Sequence, residues 1–162
     1  MRGKILISFV LMLVSFCSFG QSDNCATATP IVLTAGSACV NGTSTNATSS
    51  NTGYGTCNPL PDVNNEVWYT YVTDGSNNDF TIDPGSLTDA EIVIYTGGCA
   101  IALQTCDATT GGNTLNTSWG LTAGTQIWIG VMSNQGTDGT FQLCVDSYDP
   151  DPTGGNACSG AI

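Results

Sequence analysis

The residues of this chain that could do chemistry are almost all oxygen acids and sulfur. It carries thirteen Asp and Glu, eight Cys, two basic residues and no histidine. Without histidine neither a Ser–His–Asp nor a Cys–His arrangement can form. Lys4 is the sole lysine, so Schiff-base and Ser–Lys schemes are absent from the body of the chain. Paired carboxylates remain, as in glycosidases and aspartic proteases. Asp89 and Glu91 have such a spacing, but two acids set two apart on a strand read as a solvated face. The chain reads as non-catalytic.

Hard oxygen donors suit calcium better. Asp62, Asn64 and Glu66 alternate in PDVNNE, and Asp107 follows Cys106; these four are the candidate metal ligands, and Ca2+ is the one cofactor suggested. Asp74, Asn77, Asn78 and Asp79 crowd a second turn, and Asp149 and Asp151 lie close together further on. None of these runs is an EF-hand, because PDVNNEV lacks the required glycine. Turn acids and amides bonding their own backbone are the plainer alternative. Trp68, Trp119 and Trp128 are candidates of another kind. Exposed, such rings stack on sugars and would make the chain a carbohydrate-binding accessory module of a secreted hydrolase; buried, they fill a core.

The first twenty residues read as a secretory signal peptide: Arg2 and Lys4, an apolar run from Ile5 to Phe16, then Ser18 and Gly20 around a cleavage point before Gln21. Lipidation at Cys17 is the alternative, disfavoured by the bulky Phe16. Removing this segment leaves thirteen carboxylates and no cationic side chain. Such a surface repels nucleic acid and anionic membranes and suits divalent cations or a basic partner. No membrane insertion is expected after cleavage, and the chain is expected to be secreted or held at the cell surface.

Seven cysteines remain, and in an exported chain without C-x-x-C or histidine they read as disulfides. Cys99 and Cys106 stand close enough in sequence to close a small loop and are expected to pair. Cys25, Cys39, Cys57 and Cys144 then allow three pairings, with Cys39–Cys57 and Cys25–Cys144 preferred. Cys158 is left over.

The elements that must position these groups are strands. No window carries a helical period over a helical length, whereas short apolar or alternating runs recur. They are 30–34, 39–48, 66–73 (EVWYTYVT), 79–83, 91–96 (EIVIYT), 113–119, 126–132 and 139–146. Turn pairs such as Asp74-Gly75, Pro84-Gly85, Gly97-Gly98 and Asp138-Gly139 separate them. Alternation puts Trp68 and Thr70 on one face with Tyr69 and Tyr71 on the other, and sets Trp128 opposite Ile127, Ile129 and Val131. The expected fold is all-β: a two-sheet antiparallel sandwich, jelly-roll-like and disulfide-stapled, with an Ig-like arrangement as the alternative. The expected organisation is a signal peptide at 1–20, the sandwich at 21–146, a linker at 147–155 and, at 156–162, the truncated start of a second repeat. That last reading rests on NACSGAI echoing NCATATPI near residue 24.

The elements DNCATATPI from Asp23, NEVWYTYV from Asn65, IVIYTGGC from Ile92 and GTFQLCV from Gly139 resemble repeated extracellular modules of Bacteroidota secreted and surface proteins. They are similar to the pre-peptidase C-terminal domain, a β-sandwich appended to secreted hydrolases. The resemblance covers about 23–146. It implies a jelly-roll-like sandwich, export, and a structural or adhesion role beside neighbouring repeats of the same polypeptide. It implies no catalytic residue. Surface glycan or a host or cell-surface protein is the external partner expected.

Overall fold

The computed structural model describes residues 22–31, 37–48, 65–99, 102–133 and 138–149. Among the described residues a 3-10 turn at Cys25–Thr27 precedes nine strands: β1 (Thr29–Ile31), β2 (Ser37–Thr43), β3 (Val67–Val72), β4 (Asn77–Pro84), β5 (Ala90–Thr96), β6 (Ala102–Ala108), β7 (Leu115–Gly120), β8 (Gln126–Ser133) and β9 (Thr140–Tyr148). They form a five-stranded sheet in the order β1-β3-β8-β5-β6 and a four-stranded sheet in the order β2-β9-β4-β7. Strands β2 and β9, β3 and β8, β4 and β7, and β5 and β6 pair antiparallel, one couple nested inside the next. A long hairpin rolled up in this way is the jelly roll. The short β1 is an addition at the edge and runs parallel to β3.

Alternation within each strand makes the core. Tyr69 and Tyr71 of β3, Ile92 and Ile94 of β5, and Ile127, Ile129 and Val131 of β8 face the four-stranded sheet. Phe80 and Ile82 of β4 and Phe141, Leu143 and Val145 of β9 meet them from the other side. Aromatic edges close the packing: Tyr69 lies T-shaped on Phe141 and Tyr71 on Phe80. Gly42 in β2 is required there, because a Cβ at that position would fall 2.3 Å from the Tyr69 hydroxyl.

Three expectations change. The stretch 99–106, expected to be a small disulfide loop, instead runs from the turn after β5 into strand β6, Ala102–Ala108. The sandwich ends later than 146, since β9 continues through Tyr148 with Ser147 buried. The cysteine pairing also differs: Cys25 bridges Cys99, and Cys39 bridges Cys144. Cys99 sits in the turn after β5, whereas Cys106 lies opposite Val93, four residues down β6 from its start at Ala102. Four strand residues span roughly 13 Å, well beyond the ~7 Å Cα separation a disulfide tolerates. Cys39 and Cys144 are direct cross-strand partners with Cα atoms 4.0 Å apart, which takes Cys39 from Cys57. Cys25 and Cys144 lie on outer faces of different sheets, separated by more than the ~10 Å sheet spacing. Cys106 is itself disulfide-bonded. The signal segment 1–20, Cys17, Cys57, Asp62, Asn64, Asp151, Cys158 and the segment 150–162 lie outside the described residues.

Candidate functional site

Two constructions stand out, one over the five-stranded sheet and one where the chain leaves the sandwich. On the outer face of the five-stranded sheet a second, smaller core forms. Trp68, Val93, Tyr95, Met132 and Cys25 are buried together, with Trp128 and Cys106 packed against them. Trp68 is fully buried and its ring lies 6.2 Å from that of Tyr95. The roof over this face includes the 3-10 turn: Asn24 caps it by accepting from Ala26 N at 2.8 Å, and the Cys25–Cys99 bridge ties it to the β5–β6 turn. Ser22 O accepts from Trp68 N at 2.7 Å, which sets where the chain enters.

This second core contains two carboxylates. Glu66 is 5 % exposed and accepts from Trp68 Nε1 at 3.2 Å. Glu91 is 0 % exposed, with Oε1 3.7 Å from Cys106 Sγ. Glu66 precedes Val67, which pairs with Val131, and Glu91 pairs with Met132; the two acids therefore flank Met132 on one face. Glu91 is not on a solvated face, as its spacing from Asp89 suggested. The available signal was its alternation with Val93 and Tyr95 in EIVIYT, which places it on an apolar face.

Of the candidate calcium ligands only Glu66 and Asp107 lie among the described residues, and these two are not brought together. Glu66 points to the outer face, whereas Asp107 alternates with the outward Cys106 and so points to the inner side, at the far edge strand. Asp107 Oδ1 accepts from the adjacent Ala108 N at 2.9 Å. Among the described residues no group of three or more acidic, histidine or cysteine ligands forms. The three tryptophans are also dispersed. Trp68 is buried, Trp128 is half-buried against the outer core, and Trp119 is half-buried against the main core from β7. A depression of ≈ 330 Å³ on the four-stranded sheet is lined by Asn41, Asp83, Pro84 and Gln142 among others, and by none of the tryptophans. Its polar groups already bond neighbours: Gln142 Nε2 donates to Asn41 Oδ1 and Thr114 Oγ1 to Asp83 Oδ1.

The second construction holds the outgoing chain. Ser147 Oγ accepts from Asp74 N at 3.0 Å and Gly75 N at 2.6 Å, and donates to Asn78 Oδ1 at 2.9 Å. Tyr71 donates to the same Asn78 oxygen, and Asp149 Oδ1 accepts from Ser76 N at 2.7 Å. Gly75 makes this approach possible, since a Cβ there would lie 2.3 Å from the Tyr148 carbonyl carbon. Beside it, Asp79 pushes the exposed Tyr148 phenol up, chiefly through its negative charge. Sequence reading saw Asp74, Asn78 and Asp149 as metal candidates; Asn78 and Asp149 are bound into this clasp. Ser147, which organises it, carried no signal beyond lying in the expected linker.

No family model matches the sequence, and no curated protein is significantly similar to it. Among solved structures, the pre-peptidase C-terminal domain of a collagenase from Bacillus anthracis superposes with a TM-score of 0.50. The identity is 14 %, over 73 % of this chain and 93 % of that one. The likeness is one of fold. PliG, a periplasmic inhibitor of g-type lysozyme from Aeromonas hydrophila, aligns over the same shares with a TM-score of 0.46 and 18 % identity. The bridges themselves belong to an oxidising compartment, outside the cell or in a periplasm.

Proposed function

We propose that this chain supplies a non-catalytic extracellular spacer, a β-sandwich bead that stands between the start of the exported chain and the segments that follow it, in the manner of a structural or adhesion repeat. The observation that carries this reading is where the backbone enters and leaves. Ser22 bonds at Trp68, at the start of β3, while Asp149 bonds at Ser76, beyond the end of β3. The two points sit at opposite ends of the sandwich, separated along the strands by roughly 20 Å. A module inserted as a side branch wants its ends side by side; a bead in a string wants them at opposite poles. Both points are fastened, one through the Cys25–Cys99 bridge and one by the Ser147 clasp.

The test is an end-to-end distance. Dye-bearing residues placed at Ser22 and Asp149 of the oxidised chain should report a single distance of roughly 20 Å or more. Ends within about 10 Å, or a broad distribution, would sink the reading.

A further inference from the structure

The two bridges sit in opposite surroundings. Cys25 is fully buried in the outer core of the five-stranded sheet, and Cys99 packs against the same cluster. Cys106, also disulfide-bonded, packs there too. Cys39, in contrast, is exposed on β2, and its partner Cys144 is half-buried on β9. Phe141, Leu143 and Val145 belong to the main core, so Cys144 faces outward between Gln142 and Asp146. Strand β2 is an edge of its sheet, and among the described residues no strand lies beyond it. We propose that the Cys39–Cys144 bridge is a thiol-exchange site, at which an external thiol in positively charged surroundings becomes disulfide-linked to Cys39 and releases Cys144. The site is independent of the spacer reading above.

A thiolate must approach an S–S bond end-on, opposite the sulfur that leaves, so access decides which sulfur is attacked. At Cys39 that line comes in over the open edge of β2. At Cys144 it comes in over β4, where Thr81 stands directly across and holds Asn116 Oδ1 at 3.0 Å. Cys39 is therefore the sulfur attacked. A bond forms between the incoming sulfur and Cys39 Sγ, the Cys39–Cys144 bond breaks, and Cys144 leaves with the electron pair as a thiolate. It takes a proton from water, and Gln142 Oε1, 3.6 Å from Cys144 Sγ, is placed to accept from the new thiol. No oxidant or further reductant is consumed. In the Cys25–Cys99 bridge one sulfur is sealed from attack and would itself have to leave as an anion into an apolar cluster. Charge then selects among thiols. Asp146 of β9 and Asp79 and Asp83 of β4 alternate with the inward Val145, Phe80 and Ile82, so all three share the outer face with the bridge. Asp146 lies two residues from Cys144, roughly 7 Å along the strand. That is within the ~8 Å screening length of physiological salt. No lysine, arginine or histidine follows Lys4 to offset these charges. Anionic thiols are repelled and cationic ones drawn in.

Two small thiols test this on the folded, oxidised exported chain: 2-aminoethanethiol, which is cationic, and 2-mercaptoethanesulfonate, which is anionic. Each rate is divided by that thiol's rate with a small uncharged disulfide, which removes intrinsic nucleophilicity. Acid quenching and peptide mass mapping should find the first adduct on Cys39 and a free thiol at Cys144, with Cys25, Cys99 and Cys106 still bridged. The rate should rise linearly with thiol concentration. At about 10 mM salt the cationic thiol should be faster by roughly tenfold, and the ratio should fall toward one at about 1 M. Asp146→Asn, a change at an exposed position, should lower the low-salt ratio by roughly threefold. A first adduct on Cys25, Cys99 or Cys106, or one shared equally between Cys39 and Cys144, would overturn the site. So would a rate that levels off with thiol concentration while all bridges open together, since exchange would then follow global unfolding. A ratio near one at low salt, or one that Asp146→Asn leaves unmoved, would overturn the selection by charge.

Discussion

Strand β3 feeds two cores of different construction. On its inner face Tyr69 and Tyr71 enter a cluster roofed by a whole second sheet, where the neighbours are Ile, Val, Leu and Phe and rings meet edge to face. One residue away, Trp68 is buried as completely on the outer face, but beneath a roof that includes a three-residue turn. There the neighbours include two carboxylates and a disulfide. The inner core is stabilised by area, at about 25 cal/mol for each Å² of apolar surface removed from water. A roof as small as the 3-10 turn removes little area, so its closure leans on a covalent bridge and on polar partners that hold their place. The same sheet thus shows burial achieved by packing on one side and by clamping on the other.

That contrast can be broken or sharpened by substitution. The largest effect is expected on the outer side: Cys25→Ser with Cys99→Ser should cost about 4 kcal/mol in denaturant unfolding, given a closed loop of 74 residues. Hydrogen exchange should show the Trp68 amide losing protection before those of β8; simultaneous loss would mean that both cores are one cooperative unit. Next, Ile129→Ala on the inner face should cost about 3 kcal/mol and shift all strands together. Trp68→Phe should cost about 2 kcal/mol, since it removes both ring volume and the indole donor to Glu66. A melting point unchanged from the parent would show that the clamp alone holds the outer face.

The smallest effect at neutral pH belongs to Tyr69→Phe. The Tyr69 hydroxyl is buried without a hydrogen-bond partner, so its loss should be neutral or stabilising by under about 1 kcal/mol. Alkali changes this. Burial pushes the Tyr69 phenol up to about 12, above its unfolded value near 10. The folded state therefore holds that proton more tightly, and the associated stability is intact below pH ~10 and lost as pH rises through about 12. About 2–3 kcal/mol should disappear over that window, and Tyr69→Phe should flatten the loss. An identical alkaline slope in parent and variant would contradict the assignment.

Much of the inner core was legible beforehand. The run EVWYTYVT alternates apolar residues on both faces, and the structure uses both, with Tyr69 and Tyr71 inward and Trp68 outward. Trp128 likewise stands opposite Ile127, Ile129 and Val131 as its spacing required. The outer core was not legible, because its roof is a distant segment whose own sequence, CAT, carries no packing signal. Glu91 looked solvated because only its spacing from Asp89 was weighed, although its alternation with Val93 and Tyr95 placed it on an apolar face. Strand β6 was hidden because its Cys106 invited a local bridge, and ALQTCDA lacks the β-branched run that marks β5. Ser147 was hidden because a hydroxyl gathering backbone amides 72 and 73 residues away has no local pattern.

By itself the sequence determined the all-β class, the two-sheet arrangement and the face each residue of the strong strands takes, since period-two alternation is a local property of extended backbone. It also excluded the catalytic schemes that need a histidine, because the chain has none. Only the tertiary structure decided which cysteines meet, which carboxylates leave water and at which poles the chain enters and leaves. Those are distances between segments up to 105 residues apart, set when the hairpin rolls and brings β2 against β9. Separation along the chain carries no record of them.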